Sequence, residues 1–300
     1  MDSPVASFQL VGQKLRVSCI ELKSKGTQDK MEPMVSILMG VYRNAGFDCL
    51  RESVMSIIRQ SYQNWELIIV DDGSNSIELE EVLNELRALD GRIKTIGCEE
   101  NRGLAHALNI GLARAKGQYI ARQDDDDLSD IDRLSRQVAY LEDHLDISII
   151  GSNAVLYDGD GKWGKMDMPS NPTENSFLWN SPFIHPSVVM RRDDLMEVGG
   201  YRVARETARC EDYDLFMRMY AAGFKGVNLQ EYLYWYQSDR SSSKYRPMIR
   251  RIEEASVRAR GFKDLRLGFR SFPYIIKPLI IGLIPKSLYG AIQNRRTAEK

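Results

Sequence analysis

The sequence predicts an α/β fold with a mostly parallel central sheet flanked by helices, followed by a helical, basic C-terminal extension. Three observations support this fold class. From Val35 onward short apolar runs alternate with amphipathic stretches, acidic residues directly follow two of the apolar runs, and basic residues concentrate near the C-terminus. With 43% hydrophobic residues, the 300-residue chain can bury a sizeable core and has the composition of a soluble globular protein.

The elements follow from the spacing of apolar residues. Short apolar runs predict buried strands at 35–39, 66–70, 93–96 and 119–121. Apolar residues at helical spacing predict helices at 47–60, 77–89 and 104–115, the last closed by Gly117 as a helix C-cap. Further along, we expect helices at 132–145 and 212–222, and strands at 147–157 and 187–190. Strands that alternate with helices indicate parallel pairing, and ligands of such sheets bind at the carboxyl ends of the strands.

Two acidic segments stand at predicted strand ends. The turn 71–74 follows the second strand, and four consecutive aspartates at 124–127 follow the fourth. Adjacent carboxylates repel one another unless a cation lies among them, and Mg²⁺ and Mn²⁺ prefer oxygen ligands. The run at 124–127 therefore predicts a divalent metal site, with a solvated acidic turn as the alternative. For 71–74 the alternative is a turn selected for the geometry of Gly and Asp.

Charge is distributed unevenly along the chain. Residues 244–300 carry 14 Lys and Arg against 4 Asp and Glu, whereas the remainder carries 27 against 38. We therefore expect an N-terminal extension (1–33) with a candidate strand at 15–22, a central domain (34–243) and a basic, apolar tail (244–300). Basic charge could attract nucleic acid, but the motifs of common nucleic-acid-binding modules are absent, so no nucleic-acid partner is expected.

The tail contains an apolar segment at 272–285 that three prolines and Lys277 interrupt. It cannot form a straight spanning helix, and no other stretch reaches ~18 apolar residues. With basic residues around it, the segment suits the surface of an anionic bilayer; packing on the core or against a partner are the alternatives. The four cysteines show no paired spacing and the chain starts without a signal-peptide pattern. We therefore expect a cytoplasmic protein, peripheral on the inner face of the cell membrane.

The acidic segments and their neighbours, in their order, resemble the motifs of family 2 glycosyltransferases. The matching segments are 35–44 (VSILMGVYRN), 69–74 (IVDDGS), 101–105 (NRGLA), 122–127 (RQDDDD) and the pair Glu211-Asp212. The resemblance implies the type A glycosyltransferase fold in the central domain. It also implies an inverting, metal-dependent transfer from a UDP- or dTDP-linked sugar to a glycan hydroxyl. It is nearest to bacterial enzymes that build O-antigen, capsule or other lipopolysaccharide and exopolysaccharide chains, on acceptors carried by polyprenyl lipids.

By this resemblance, the strand ends hold the donor and its metal. Asp124 and Asp126 match the metal-binding DxD motif, with Mg²⁺ or Mn²⁺ as cofactor, and Asp125 between them is assigned to the donor. Asp72 matches the residue that hydrogen-bonds the nucleotide base, and a carboxylate suits the N3–H of uracil or thymine. The remaining donor contacts are assigned to Gly40, Val41 and Tyr42 at the end of the first strand, to Arg122 and to His185. For Arg122, an ion pair with the carboxylates is an equal alternative to a phosphate or ribose contact.

The acceptor side depends on later residues. Asp212 matches the family's general base, which takes the proton of the acceptor hydroxyl; the alternative is an acidic residue that only satisfies the helix dipole. Glu211 and Trp179 are assigned to the acceptor, since a flat ring covers the apolar face of a sugar. A position of Trp179 in the core is the alternative. Arg240 would replace a phosphate-binding Arg that the family often has near Tyr236.

Two other functions remain open at the level of sequence. A metal-dependent nucleotidyltransferase also uses paired carboxylates, but the Gly-rich, Lys-containing loop typical of that class does not follow 35–39. A non-catalytic, membrane-bound scaffold of the same fold would have no need for the aspartates at 72, 124, 126 and 212.

Overall fold

The computed structural model describes residues 32–43, 46–239 and 247–283. The candidate strand at 15–22, Arg240 and the end of the apolar tail beyond 283 lie outside the described residues. The other residues assigned to the site can be located in the structure.

Four parallel strands form the first half of the sheet. β1 (Val35–Val41), β2 (Trp65–Asp71), β3 (Ile93–Gly97) and β4 (Tyr119–Arg122) lie in the order β3-β2-β1-β4. Helices α1 (Phe47–Ile58), α2 (Ile77–Leu89) and α3 (Leu104–Arg114) connect them. In β1, Ile37 and Met39 belong to one core and Leu38 to the other, as expected for a strand buried on both faces. The predicted parallel pairing is confirmed here, and the carboxyl ends of these strands meet at one edge.

The second half of the sheet is mixed. β8 (Val189–Arg191) is antiparallel to β4 and to β6 (Ile149–Asp158), and β9 (Gly226–Gln237) is parallel to β6. The short β5 (Leu128–Ser129) and β7 (Gly161–Met166) are antiparallel to β9 and β6. Helices α4 (Arg133–Asp143), α5 (Arg192–Glu197) and α6 (Glu211–Ala221) complete this half. The predicted α/β architecture is confirmed, and its parallel part is the first half.

Helices cover both faces of the sheet. On one face, α1, α2 and α4 bury residues such as Leu50 and Leu134. On the other face, α3, α6 and α7 (Met248–Asp264) bury residues such as Leu108, Phe216 and Val257. Apolar residues at helical spacing give each helix the stripe that it buries. Because α7 contributes to this second core, the start of the basic tail packs on the rest of the protein.

The apolar segment of the tail forms a short helix. A 3₁₀ turn (Phe269–Ser271) leads into α8 (Phe272–Gly282), which contains Pro278 in its interior. Among the described residues, no helix combines the length and the apolar character needed to cross a membrane.

Gly117 does not act as the predicted helix C-cap. α3 ends at Arg114, and Ala115 follows it in an extended conformation. A Cβ atom on Gly117 would lie 2.5 Å from the backbone nitrogen of Ser36. The Gly117 N–H also donates to Ser36 Oγ over 2.8 Å. The glycine is therefore explained by the close approach of this loop to β1.

Candidate active site

The four consecutive aspartates form a tight turn between β4 and β5, which we call the acidic turn (Asp124, Asp125, Asp126, Asp127). Residues of three other elements form hydrogen bonds with its backbone. The Asp124 N–H donates to the Tyr234 hydroxyl over 3.2 Å, and Ser53 Oγ donates to the Asp124 carbonyl over 2.8 Å. The Tyr157 hydroxyl donates to the Asp126 carbonyl over 2.8 Å. The acidic turn is therefore fixed by residues of α1, β6 and β9.

Three of the four carboxylates converge. One oxygen each from Asp124, Asp126 and Asp127 lies within 4.8 Å of the other two. Asp127 is 1% exposed, and its Oδ1 accepts the Gln237 N–H over 2.6 Å, whereas its buried Oδ2 has no hydrogen-bond partner among the described residues. A buried carboxylate oxygen without a donor is costly unless a cation satisfies it. The residues fit a hard divalent cation with oxygen ligands. The structure thus brings the predicted Asp124 and Asp126 together and adds Asp127.

The electrostatics of the acidic turn also favour a bound cation. Burial, reinforced by the charges of Asp126 and Asp124, raises the pKa of Asp125 to about 7. Burial and neighbouring carboxylates also raise the pKa values of Asp126 and Asp127 above their ordinary range. Positive charge placed among these groups would offset the repulsion.

Arg122, assigned either to the donor or to an ion pair, is buried and bonded inside the protein. Its side chain is 1% exposed, forms an ion pair with Asp124 and donates to the Leu38 carbonyl over 3.4 Å. Of the two roles predicted for Arg122, the structure shows the ion pair. Arg122 is the last residue of β4, and its side chain reaches Asp124 at the start of the acidic turn. Arg122 therefore orients Asp124.

A buried cation behind the acidic turn was missed by sequence reasoning. Arg133 of α4 donates from Nη1 to Gln123 Oε1 over 2.8 Å and to Ser129 Oγ over 2.7 Å. Its Nη2 donates to the Arg122 carbonyl over 2.6 Å. Burial lowers the pKa of Arg133 to about 10, so it remains charged near neutral pH. The pattern of α4 shows only an amphipathic helix, and nothing in it distinguishes Arg133 from a surface arginine.

The 71–74 turn fixes the start of α3. Gly73 has a φ of +74°, and a Cβ atom there would lie 2.4 Å from the backbone of Glu100. Asp72 is 3% exposed, and its Oδ2 accepts from Asn101 Nδ2 over 2.8 Å and from the Gly103 N–H over 2.7 Å. Its Oδ1 accepts the Arg102 N–H over 3.1 Å. A nucleobase would therefore share the Asp72 carboxylate with three internal donors.

The end of β1 offers one accessible side chain. Val41 is 2% exposed and its carbonyl accepts the Asp72 N–H over 2.9 Å, so both groups already serve the fold. A Cβ atom on Gly40 would lie 2.8 Å from Leu104 Cδ1, so the glycine allows α3 to approach β1. Tyr42 is 41% exposed. Of the three residues at the end of β1 that were assigned to the donor, only Tyr42 presents a side chain to solvent.

His185 lies deep in the site beside Tyr201. Its Nε2 is 2.9 Å from the Tyr201 hydroxyl, and the two rings meet edge to face. Burial and the nearby charge of Arg122 lower the pKa of His185 well below its ordinary value, so it is neutral at pH 7. The contacts of His185 are therefore with the aromatic rings of Tyr201 and Phe216.

The predicted base stands at the start of α6. Asp212 and Glu211 form the first turn of α6 and are half-buried. Burial raises the pKa of Tyr201 and of Tyr236, and the charges of both Asp212 and Asp124 raise each of them further. Two carboxylates far apart in sequence thus act on the same two phenols. Neither tyrosine carries a signal in the sequence that would have identified it.

Trp179 is 62% exposed, so the alternative of a core position is wrong. It follows a 3₁₀ helix (Glu174–Leu178) and opens a segment that we call the Trp179 loop (179–184). The Arg258 Nη2 and the Lys277 Nζ donate to the Trp179 carbonyl over 3.2 and 2.9 Å. The Lys277 ammonium also lies 3.6 Å from the centre of the indole ring. Residues of α7 and α8 therefore hold this ring at the surface.

Comparison with known sequences identifies relatives over most of the chain. The sequence model described as Glycosyl transferase family 2 matches residues 36–205. EpsE of Bacillus subtilis, named as a glycosyltransferase, is 38% identical over 88% of this chain and 94% of its own length. An Escherichia coli protein is 29% identical over 88% of this chain and 96% of its own length. Its name is UDP-Gal:alpha-D-GlcNAc-diphosphoundecaprenol beta-1,3-galactosyltransferase.

Solved structures share the fold at low sequence identity. S. aureus TarS 1-349 in complex with UDP-GlcNAc matches with a TM-score of 0.60 and 17% identity, over 88% of this chain and 89% of that one. The mannosyltransferase PcManGT from Pyrobaculum calidifontis, in complex with GDP-Man and Mn²⁺, matches with a TM-score of 0.57 and 18% identity. That match covers 90% of this chain and 76% of the other.

Proposed function

The chain belongs to glycosyl transferase family 2 and has the type A glycosyltransferase fold, and from this premise we propose its reaction. It moves a sugar from a nucleoside diphosphate sugar to a hydroxyl group of a growing glycan, with inversion at the anomeric carbon. The observation that carries the proposal is the convergence of the Asp124, Asp126 and Asp127 carboxylates, within 4.8 Å of one another, at the end of a strand of the parallel sheet. Asp212, at the start of α6, is the proposed base of the same reaction.

The donor is a UDP- or dTDP-linked sugar bound at the ends of β1, β2 and β4, which with the acidic turn we call the donor side. Tyr42 offers an exposed ring on which a base can stack. The N3–H of a pyrimidine would share the buried Asp72 carboxylate with its three internal donors. The Escherichia coli relative is named for a UDP-sugar, and the S. aureus TarS complex holds one. Both names support a uridine nucleotide without identifying the sugar.

Asp124, Asp126 and Asp127 would hold Mg²⁺ or Mn²⁺. When bound, such an ion stabilises the negative charge that develops on a diphosphate leaving group and orients the donor. The orphaned oxygen of Asp127 is the structural reason to include this residue in the set. The Mn²⁺ in the PcManGT complex supports the choice of metal.

The chemical step is a direct displacement. Asp212 accepts the proton of the acceptor hydroxyl while that oxygen attacks the anomeric carbon. The bond between this carbon and the diphosphate oxygen breaks, and the diphosphate leaves from the opposite face. His185, held by Tyr201, is neutral and would contact the donor without adding charge. Arg122 and Arg133 stay behind the acidic turn and maintain its shape.

The acceptor is a lipid-linked glycan of cell-surface polysaccharide biosynthesis, met at the inner face of the cytoplasmic membrane. The Escherichia coli relative is named for an acceptor carried on diphosphoundecaprenol. Phe269 and Phe272 expose apolar rings at the start of α8, near basic residues of the tail. Such a surface suits peripheral contact with an anionic bilayer. Salt-sensitive co-sedimentation with vesicles containing phosphatidylglycerol tests this part, and equal binding to neutral vesicles in high salt would contradict it.

The central experiment is donor hydrolysis. The purified chain is incubated with Mn²⁺ and a panel of nucleotide sugars, and release of nucleoside diphosphate is measured. We expect slow hydrolysis of one UDP- or dTDP-sugar that EDTA abolishes and that excess Mn²⁺ restores. Hydrolysis unaffected by EDTA would contradict the metal. If the panel gave neither hydrolysis nor a metal-dependent thermal shift, an inactive scaffold of the same fold would be favoured.

A further inference from the structure

Two cavities lie side by side where α7 meets α8. The first has a volume of about 690 Å³ and is lined by Leu178, Arg266, Arg270 and Tyr274, among others. The second has a volume of about 420 Å³, and its lining includes Phe262, Phe269, Phe272 and Ile275. Arg266 belongs to both linings. One arginine is therefore shared by a polar cavity and an aromatic one.

The first cavity has a surplus of positive charge. Arg266 and Arg270 are exposed, and among the described residues their guanidinium groups form no ion pair. Glu174 lines the same cavity and is its single carboxylate, so the two arginines outweigh it. Arginine forks match the geometry of phosphate oxygens. This cavity is suited to an anion with more than one charge.

The second cavity has the opposite character. Phe269 is 99% exposed and Phe272 is 60% exposed, and both contribute to its wall. Lys263 is the further cation of this lining, beside Arg266. Aromatic rings left in water at one place indicate a surface that binds an apolar group. An occupant of both cavities would be amphiphilic, with its anionic group beside its apolar chain.

The first cavity adjoins the Trp179 loop. Tyr274 lines the first cavity, and its ring packs edge to face on Trp179 at 6.2 Å between centres. Arg258 of α7 donates to the carbonyls of both Leu178 and Trp179. Its guanidinium also lies 5.1 Å from the ring of Tyr213, the residue after Asp212. A ligand in the first cavity would therefore lie beside the ring assigned to the acceptor sugar.

We propose that the two cavities bind the lipid diphosphate part of the acceptor. Arg266 and Arg270 hold the diphosphate, the aromatic cavity holds the start of the isoprenoid chain, and the sugar extends toward Trp179. This inference rests on the proposed function for the identity of the acceptor. It assigns a specific ligand site to a region that a general membrane contact would use only as a surface.

The test uses isothermal titration calorimetry in EDTA, so that the acidic turn cannot bind diphosphate through a metal. The probes are farnesyl diphosphate, farnesol and inorganic diphosphate. We expect farnesyl diphosphate to bind the full-length chain at least about 10-fold more tightly than either other probe, because both halves of the probe are used. The double variant Arg266→Gln/Arg270→Gln should weaken this binding by about 10- to 100-fold.

Arg114→Gln, an exposed arginine at the end of α3, is the matched control and should leave farnesyl diphosphate binding unchanged. If the double variant is unstable, Arg270→Gln alone is compared, and it should lose about 10-fold. Equal affinity for inorganic diphosphate and farnesyl diphosphate would overturn the proposal. So would variants that lose phosphatidylglycerol vesicles while retaining farnesyl diphosphate, since the site would then belong to the bilayer. Donor hydrolysis with Mn²⁺ is measured on the same variants and reports separately on the proposed function.

Discussion

The donor side and the acceptor side of this protein are held in different ways. On the donor side, the ends of neighbouring parallel strands carry the polar groups, and buried partners such as Arg122 and Arg133 fix the acidic turn. The acceptor side consists of the Trp179 loop with α7 and α8. The Trp179 ring is 62% exposed, and the Trp179 carbonyl is held by two side chains that lie 79 and 98 positions later in the chain.

This difference indicates which side of the site can change its substrate specificity while the fold stays intact. A site built from strand ends cannot move without disturbing the sheet, and its buried ion pair and orphaned carboxylate oxygen leave little freedom for substitution. A loop held by two cationic side chains can change while the sheet stays intact. We therefore expect changes on the donor side to lower turnover, and changes on the acceptor side to raise the acceptor KM while donor hydrolysis continues.

The largest effect is expected at the start of α6, where the proposed base stands. Asp212→Asn removes the proposed base and should lower kcat for transfer by about 10³-fold, within the range of general base catalysis. Donor affinity should change little, because the donor side is untouched. Transfer kinetics and donor titration measure the two quantities separately.

Asp214→Asn is the matched contrast on the same helix. Asp214 is buried and pairs with Arg218 at 2.7 Å. Its loss leaves the Arg218 guanidinium, which is 15% exposed and still donates to two backbone carbonyls, without its carboxylate. This costs about 2 kcal/mol of unfolding free energy. Thermal denaturation should show a lower Tm for Asp214→Asn and an unchanged Tm for Asp212→Asn. A normal transfer rate in Asp212→Asn would remove this residue from the mechanism.

The next effect concerns the metal on the donor side. Asp126→Asn should lower transfer by about 10²-fold or more, because charge on the leaving diphosphate would lose its counterion. In the native chain Mn²⁺ should raise Tm, since it binds the folded state and offsets the repulsion in the acidic turn. Differential scanning fluorimetry should show that Asp126→Asn abolishes this rise, whereas the exposed control Asp143→Asn keeps it. An equal rise in both variants would show that the ion binds elsewhere.

The sequence predicted the parallel half of the sheet and its acidic strand ends for a physical reason. Parallel strands bring their carboxyl ends to one edge, so acidic residues after two such strands are neighbours whatever the details of packing. The order of the motifs then identified the family. What it did not reveal is that Asp72 uses its oxygens to fix the start of α3, and that Arg122 is buried. The first depends on which donors the loop before α3 presents, and the second on how β4 packs between its neighbouring strands.

The acceptor side was predicted only as a tryptophan and an acidic pair. The partners of Trp179 lie on helices whose apolar patterns predict burial but not which loop they meet. Arg258 illustrates this limit. It is 1% exposed, and its contacts reach Glu254 on its own helix and the carbonyl of Leu178, 80 positions earlier. A helical pattern alone favours a surface position for such a residue.

A moderate effect is therefore expected from Arg258→Lys. Lysine keeps the positive charge beside Glu254, but its single ammonium cannot hold the Leu178 and Trp179 carbonyls together. The acceptor KM should rise by about 10-fold, with donor hydrolysis unchanged, because the Trp179 loop loses its anchor. Steady-state transfer with varied acceptor measures the KM, and the Mn²⁺-dependent hydrolysis rate is the internal control. A fall in hydrolysis equal to the fall in transfer would mean that α7 also supports the donor side.

The smallest effect is expected at Trp179 itself. Trp179→Ala removes an exposed ring, so the free energy of unfolding should change by less than about 0.5 kcal/mol. The acceptor KM should rise by about 3- to 10-fold, which corresponds to the loss of one aromatic contact, while Trp179→Phe should keep most of the affinity.

Because Lys277 lies over the indole and holds the carbonyl of the same residue, Lys277→Met should act in the same direction through the loop. The two changes together should then cost less than the product of their separate effects, since they disturb one contact. Independent effects of Trp179→Ala and Lys277→Met would mean that α8 does not act through this ring. The difference between a rigid donor side and an adjustable acceptor side would then not depend on the contact between Lys277 and Trp179.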